Sequence, residues 1–369
     1  MIIIKSKSYN LKSKIFYVCV LLIIITLISF PSVAVVILNW NGKYLLEKFL
    51  PSVMASAYNN FSVVVADNAS DDDSIDFLKN NYPDVQILLS NTNEGFAKGY
   101  NSALKDVSAD YYVLLNSDVQ VTKDWIEPVI SLMESDEKIA ACQPKVLSYK
   151  DRGQFEYAGA CGGFIDKFGY PFTRGRIFET CETDKGQYDN SMQIFWATGA
   201  ALFVRATIFH ELNGFDEVFF AHQEEIDLCW RMQRKGYSIY VVPSSVVYHV
   251  GGGTLPMGDR KKVYLNFRNN LIMMTKNLPV LERVWKIPLR IFLDAIAAYR
   301  SLIDGNFSTF ISIASAQLHY AGWVFTGKRG KKFSKIKMKN IAPVYDGSIV
   351  WQYFIKRKKT FSEIIPFKK

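Results

Sequence analysis

The stretch Val63-Val64-Val65-Ala66-Asp67-Asn68-Ala69-Ser70 passes from four apolar residues without alternation into a polar turn. A strand that reads this way is buried on both faces, as in a parallel sheet whose crossover helices cover each side. The same texture repeats outward from it. Apolar runs at 33–38, 62–66, 85–89 and 111–115 alternate with helix-like segments at 43–55, 74–80 and 99–106. Asp71, Asp72, Asp73 and Ser74 supply N-cap candidates for the second helix. The unit is strand–helix–strand, so the first stretch of about 120 residues is expected to be a doubly wound α/β half-domain.

Open α/β sheets bind ligands just past the carboxyl ends of their strands. Two of these runs end in acids: the second in Asp67, and the fourth, Val113-Leu114-Leu115, in Asn116-Ser117-Asp118. Asp and Asn also favour ordinary turns, but two such ends in neighbouring strands point to a site. The first strand is followed by Asn39-Trp40-Asn41-Gly42, so neither G-x-G-x-x-G nor a P-loop is present there, and a P-loop occurs nowhere else. A nucleotide bound here needs another counter-charge for its phosphates. Mg²⁺ or Mn²⁺ is held by one or two carboxylates plus the substrate's own phosphates, and Asp118 is the natural ligand.

Three further segments carry candidate chemistry. The first is Asn93-Glu94-Gly95-Phe96-Ala97-Lys98-Gly99-Tyr100-Asn101, which joins a strand to a helix; its glycines allow close backbone approach, and helix-start amides favour anions. The second holds five acids, Asp216, Glu217, Glu224, Glu225 and Asp227. They suit a helix N-terminus, and Asp227 with Arg231 has the spacing of an ordinary surface pair. Glu224 and Glu225 follow the lead-in Phe219-Phe220-Ala221-His222-Gln223, where desolvation would raise a carboxyl toward neutrality and fit it for general-base work. In the third, His249 closes an apolar segment before Gly251-Gly252-Gly253.

Charge is unevenly spread. From residue 286 onward sixteen Lys and Arg stand against Asp294, Asp304, Asp346 and Glu363, a net of +12 in a chain whose total is +9. A basic tail on a slightly acidic body points to an anionic surface, and its apolar stretches favour a membrane over nucleic acid. The segment 287–303 places Ile287, Leu289, Ile291, Phe292, Ala295, Ile296, Tyr299 and Ile303 beside Arg290, Asp294, Arg300 and Asp304, too many charges for a span. Residues 285–339 are therefore expected to lie on a membrane without crossing it, helped by the basic run 328–339. At the other end, an uncharged run at 15–30 follows four lysines; it fits either a membrane anchor or an extension outside the folded domain. The five cysteines form no C-x-x-C pair, which argues against a zinc site or disulfide framework.

Taken in order, these motifs resemble the family 2 glycosyltransferases, in particular the bacterial rhamnosyltransferase-like and galactofuranosyltransferase-like branch. The match runs from about Val33 to Asn270 and rests on Val35-Val36-Ile37-Leu38-Asn39-Trp40-Asn41, Val65 through Ser70, Asn93 through Asn101, Asn116-Ser117-Asp118, and Glu224-Glu225-Ile226-Asp227-Leu228-Cys229-Trp230-Arg231. The resemblance implies a GT-A fold, with Asp67 reading the nucleobase and Asn41, Asn93, Gly95, Asn101, Asn116 and Ser117 around the nucleotide sugar. Asn116-Ser117-Asp118 stands where the D-x-D motif falls, with Asn in place of the first acid, so the resemblance makes Asp118 a metal ligand and His249 a second. Glu225 falls on the catalytic base, although the family's usual residue there is Asp, which leaves the role open between Glu224 and Glu225.

The function so implied is inverting transfer of a sugar from dTDP-rhamnose or a UDP-sugar to a saccharide or lipid-linked saccharide in cell-surface polysaccharide synthesis. It would depend on Mg²⁺ or Mn²⁺ and would run at the cytoplasmic face of a bacterial inner membrane. A polyprenyl-phosphate sugar synthase is the alternative within the enzyme class. A nucleotidyltransferase would want a Gly-rich basic loop after the first strand, and a non-enzymatic membrane scaffold would bind no nucleotide. The organisation expected is an extension or anchor at 1–31, a catalytic domain at 32–275 and a basic membrane-associating region at 276–369.

Overall fold

The computed structural model describes residues 30–251, 259–326, 336–341 and 343–365. The N-terminal run at 15–29 and most of the basic run at 328–339 lie outside them. A parallel sheet forms from β1 (Val33–Asn39), β2 (Phe61–Asp67), β3 (Gln86–Leu89) and β4 (Tyr111–Asn116), ordered β4-β1-β2-β3. The connecting helices are α1 (Lys43–Met54), α2 (Ser74–Asn81) and α3 (Gly95–Ala103). Alternate residues of β1 enter two cores: Val33, Val35 and Ile37 pack with Leu46 and Leu50 of α1, and Ala34 and Val36 with Tyr100 of α3. That two-sided burial is why these strands read as unbroken apolar runs. β3 departs from the expectation: it is the edge strand, and Leu89 is exposed.

The sheet then widens to nine strands. After β5 (Val119–Val121) and α4 (Glu127–Ser135) come β6 (Ile139–Ser148), and later β11 (Met192–Ile194), β12 (Ala201–Arg205) and β13 (Ser238–His249). β12 runs antiparallel to β4 and β6, while β13 is parallel to β6 and antiparallel to β5. The order β11-β13-β6-β12-β4-β1-β2-β3, with α helices on both faces, is the GT-A arrangement. β13 runs on to His249 because its pairing with β6 resumes at Val246 after residues 243–245 loop out. Pro243 has no amide to donate there, and Ser245 Oγ reaches the Trp125 carbonyl instead.

The segment 143–195, which shows no periodicity in sequence, holds a second, five-stranded sheet. It consists of β7 (Gly163–Asp166), β8 (Pro171–Thr173), β9 (Arg176–Ile177), β10 (Thr180–Cys181) and, from the C-terminal tail, β14 (Val344–Tyr345). Strands of two to four residues are too short to carry a period. The remaining helices are α5 (Ala206–Glu211), α6 (Glu224–Arg234), α7 (Arg260–Asn277), α8 (Val280–Ile303), α9 (Phe307–Phe325) and α10 (Phe361–Ile364). Among the described residues no helix is long and apolar enough to cross a membrane, and Cys142, Cys161, Cys181 and Cys229 are free thiols.

Candidate active site

The parallel register sets Asn39 opposite Asp67 at the carboxyl ends of β1 and β2. Asn39 Nδ2 donates to Asp67 Oδ2 at 3.0 Å, Ser70 Oγ donates to the same oxygen at 2.6 Å, and the Ser70 amide donates to Oδ1 at 2.9 Å. The Asn41 amide in turn donates to Ser70 Oγ, and Asn41 Oδ1 accepts from the Asp71 amide. A carboxylate offers about four acceptor positions, and three of those on Asp67 are filled by its own loops. Asp67 also lines a cavity of about 110 Å³ with Asn68, Leu38, Leu88 and Gly99.

The loop before α3 is built differently from the sequence expectation. Helix α3 begins at Gly95, a full turn earlier than residue 99, and its first amides are not offered to an anion: those of Phe96 and Ala97 donate to the Phe220 carbonyl at 2.8 and 3.2 Å. Asn93 Oδ1 accepts from Asn68 Nδ2 and from the Gly95 amide. Gly95 sits at φ +77°, and a Cβ there would lie 2.6 Å from the Phe220 ring; only glycine meets both demands. Asn101 spends its amide group on the Phe215 backbone, donating to the carbonyl at 2.8 Å and accepting from the amide at 2.9 Å. Its work is to fix α3 to the 214–220 turn.

Strand pairing also assembles the second group of residues. β5 and β13 place His249 opposite Val119, one residue beyond Asp118. His249 Nε2 lies 3.0 Å from Asp118 Oδ1 and 3.5 Å from Asn116 Nδ2, and both Asp118 and His249 are buried. On its other side, His249 Nδ1 lies 3.4 Å from Glu156 Oε1. Glu156, which no sequence motif marked, is buried and takes the Ala158 and Gly159 amides on Oε2 at 2.6 and 3.1 Å. Burial opposes a charge on His249, but Asp118 and Glu156 outweigh it and push the imidazole up to about 10. Burial likewise opposes the Glu156 carboxylate, which His249 and the two amides nevertheless hold below the usual range.

This arrangement fits a divalent cation. Two ligands about 2.1 Å from an octahedral ion and at right angles to one another stand roughly 3 Å apart, which is the spacing of His249 Nε2 and Asp118 Oδ1. A carboxylate behind the far nitrogen, as Glu156 is, fixes the ring of a metal-bound histidine. Among the described residues no group of three or more His, Cys, Asp and Glu side chains could hold an ion by itself.

The third group is the start of α6. Phe220, His222 and Gln223 all adopt positive φ, at 61°, 67° and 76°. Such conformations are costly for residues with side chains and persist only where the surroundings impose them. The restraint comes from α7. Asn269 Nδ2 donates to the carbonyls of Phe219, Ala221 and His222 at 2.9, 2.9 and 2.7 Å; Arg268 Nη2 donates to that of Val218 at 3.0 Å; and Asn266 accepts from Gln223. The segment so held delivers Glu224 and Glu225 with Oε2 atoms that have no hydrogen-bond partner among the described residues. Burial pushes Glu225 up to about 7 and, together with the charge of Glu225, pushes Glu224 well above the usual carboxyl range. Asp227 is no surface residue: fully buried, it accepts from Arg231 at 2.7 Å and Asn277 at 2.6 Å.

Gly199 and Ala200 join the two halves. A Cβ on Gly199 would lie 4.0 Å from Glu225 Cβ, and the Ala200 carbonyl accepts the Asn116 amide at 3.0 Å. The backbone of residues 199–200 thus touches both the start of α6 and the end of β4 at Asn116.

Replacing Asn269 with Ala should release the strained segment. The carbonyls of Ala221 and His222 would lose this donor, at about 1–3 kcal/mol for a group left unsatisfied, while that of Phe219 keeps the Ala221 amide. The expected result is a fall in kcat of tenfold or more at unchanged nucleotide affinity, with faster amide exchange confined to residues 218–226. A variant with normal kcat would show that the segment holds itself.

Residues 34–198 match the model of Glycosyl transferase family 2. The chain is 24% identical over 274 residues to the N-acetylglucosaminyl-diphospho-decaprenol L-rhamnosyltransferase of Mycobacterium tuberculosis, covering 69% of this chain and 87% of that one. It is also 24% identical over 224 residues to the rhamnosyltransferase WbbL of Escherichia coli K12, covering 59% and 83%. Among solved structures, GalNAc-T7 with UDP, GalNAc and Mn²⁺ superposes with a TM-score of 0.52 at 15% identity, over 68% of this chain and 48% of that one. The chain carries a Glycosyl transferase family 2 domain over residues 34–198 and is a glycosyltransferase with the GT-A fold.

Proposed function

We propose that the protein transfers a sugar, L-rhamnose in the first instance, from a nucleoside diphosphate donor to a lipid-linked saccharide, with inversion, at the cytoplasmic face of a membrane. The rhamnosyltransferase relatives support the sugar, and the lipid-linked acceptor in the name of one of them supports the acceptor class. The observation that carries the chemistry is Glu225: a carboxyl poised near neutrality, with an oxygen unpartnered among the described residues, against the 199–200 backbone that holds Asn116.

Asp118 and His249 would hold Mg²⁺ or Mn²⁺, which when bound supplies positive charge against the donor diphosphate. Asp67 and Asn68, lining their cavity at the ends of β1 and β2, receive the base. Glu225 accepts the proton of the acceptor hydroxyl, whose oxygen forms a bond to the anomeric carbon as the carbon–phosphate oxygen bond breaks. The electron pair of that bond leaves on the diphosphate. One base and no nucleophile require a single displacement, hence inversion, by analogy with inverting hydrolases.

Nucleotide recognition is testable apart from turnover. Asp67→Ala should weaken binding of UDP or dTDP itself, by about tenfold for one charge-assisted hydrogen bond, in calorimetry with Mn²⁺ present. If only the sugar-bearing donor binds less well, Asp67 reads the sugar and the assignment is wrong.

A further inference from the structure

Helix α8 is amphipathic in the reverse of the usual sense. Its charged residues Lys286, Arg290 and Asp294 are buried. Arg290 Nε donates to Asp294 Oδ1 at 2.8 Å, Arg290 Nη1 donates to the Gly169 carbonyl at 3.2 Å, and the guanidinium lies 3.6 Å from the Tyr170 ring centre. Lys286 pairs with Glu282, whose other oxygen takes the Met338 amide. The polar side of α8 is therefore spent on the second sheet and the tail. Arg290 and Asp294, two of the charges that the sequence sets against a membrane span, are thus turned inward.

The opposite face is apolar and open. Leu281, Val284, Phe292, Ile296, Tyr299 and Ile303 lie on this face of the helix, with exposures from 50% at Ile296 to 86% at Ile303. Helix α9 extends the surface: it contains no Asp, Glu, Lys or Arg, and its Phe307 and Phe325 are exposed as well, Phe325 at 88%. Phe307 stacks on Phe310, which meets Tyr299 of α8, so the two helices present one continuous face. Soluble monomers rarely show apolar patches of this extent.

The rim of the face is cationic. Exposed Lys337 and Lys339 flank Met338, which is bonded to the first turn of α8. At the far end Arg300 lies over the Phe354 ring, and Phe354 leads directly into the basic run Lys356-Arg357-Lys358-Lys359. Trp285 and Trp351 are exposed as well, and exposed tryptophans are common where proteins meet the headgroup layer.

We infer that the outer face of α8 and α9 docks flat on an anionic lipid surface, with its apolar stripe among the acyl chains and the lysines and arginines at its rim against the headgroups. The inference rests on the reading of the chain as an enzyme of a membrane surface, and it assigns that contact to named side chains. Helix α7, whose Asn266, Arg268 and Asn269 hold the segment before Glu225, packs against both α8 and α9, so the docked face and the catalytic segment share one helix.

The test uses the full chain with Cys19 and Cys181 changed to Ser. Single cysteines carrying an environment-sensitive dye are placed at 296, at 303 and, as a control, at the exposed edge position 89. Vesicles of phosphatidylcholine with phosphatidylglycerol should shift the dye at 296 and 303 to the blue and leave the dye at 89 unchanged. Vesicles of phosphatidylcholine alone should bind about tenfold more weakly, and so should a Phe292→Glu/Ile296→Glu variant on the mixed vesicles. Mn²⁺-dependent binding of UDP or dTDP, measured on the same variant, should be unaffected; the absence of both in the parent chain would sink the transferase reading without touching this one. The inference is overturned if the chain ignores both vesicles, if it binds them while the dyes at 296 and 303 report water, or if it sediments as a dimer that Phe292→Glu dissolves.

Discussion

Glu225→Gln should leave a folded protein that binds its donor and hardly turns it over. The change keeps the side chain's shape at the start of α6 and removes only its basicity. Losing a general base costs about 10²–10⁴-fold in rate, while the nucleotide contacts on the far side of the site are untouched. Glu225→Asp should retain part of the activity on its shorter arm. In the unaltered protein only the carboxylate can accept the acceptor's proton, and burial has moved that group up to about 7. The rate should therefore rise with pH through neutrality and level off above it, and the Gln variant should lose that rise. The matching Glu224→Gln change should act on acceptor affinity or stability. If Glu224→Gln is dead and Glu225→Gln is normal, the two roles are exchanged; if both are active, the helix carries no base.

Asp118→Ala should abolish turnover and the metal dependence of nucleotide binding together. The carboxylate is one of two protein atoms placed to hold a cation, and charge stabilisation by such an ion is worth several kcal/mol, or about 10³-fold and more in rate. The variant also leaves His249 with Glu156 as its one adjacent carboxylate, so thermal unfolding must be recorded beside activity. Full activity of the unaltered enzyme in EDTA would exclude this role for Asp118.

The sequence exposes those parts of the site that lie at the ends of unbroken strands. Asp67 and Asp118 are legible because a doubly buried strand has no place for an acid until it reaches the rim. The acids at the start of α6 are legible because a helix N-terminus concentrates them. Glu156 is not, since it sits in a run of short strands where periodicity cannot develop and reaches His249 only through tertiary packing. Asn269 is equally silent: one Asn among several on α7 carries no mark of the three carbonyls it serves. Asn101 shows the converse error, a motif residue whose polar atoms are spent inside the fold. Helix α8 misleads in a different way, because charge counting cannot tell an exposed pair from Arg290 and Asp294 buried against Tyr170. Its period is right, but which side faces solvent is decided by the second sheet.

The central claim is a single displacement driven by Glu225. The most direct measurement is the anomeric configuration of the product, read by NMR after incubating the full chain with Mn²⁺, a lipid-linked saccharide acceptor and a panel of nucleotide sugars that includes dTDP-rhamnose. The account predicts that one donor releases its nucleoside diphosphate and that the new glycosidic bond has the opposite configuration to the donor. A product that retains the donor's configuration, or a panel in which no donor is consumed, would contradict it.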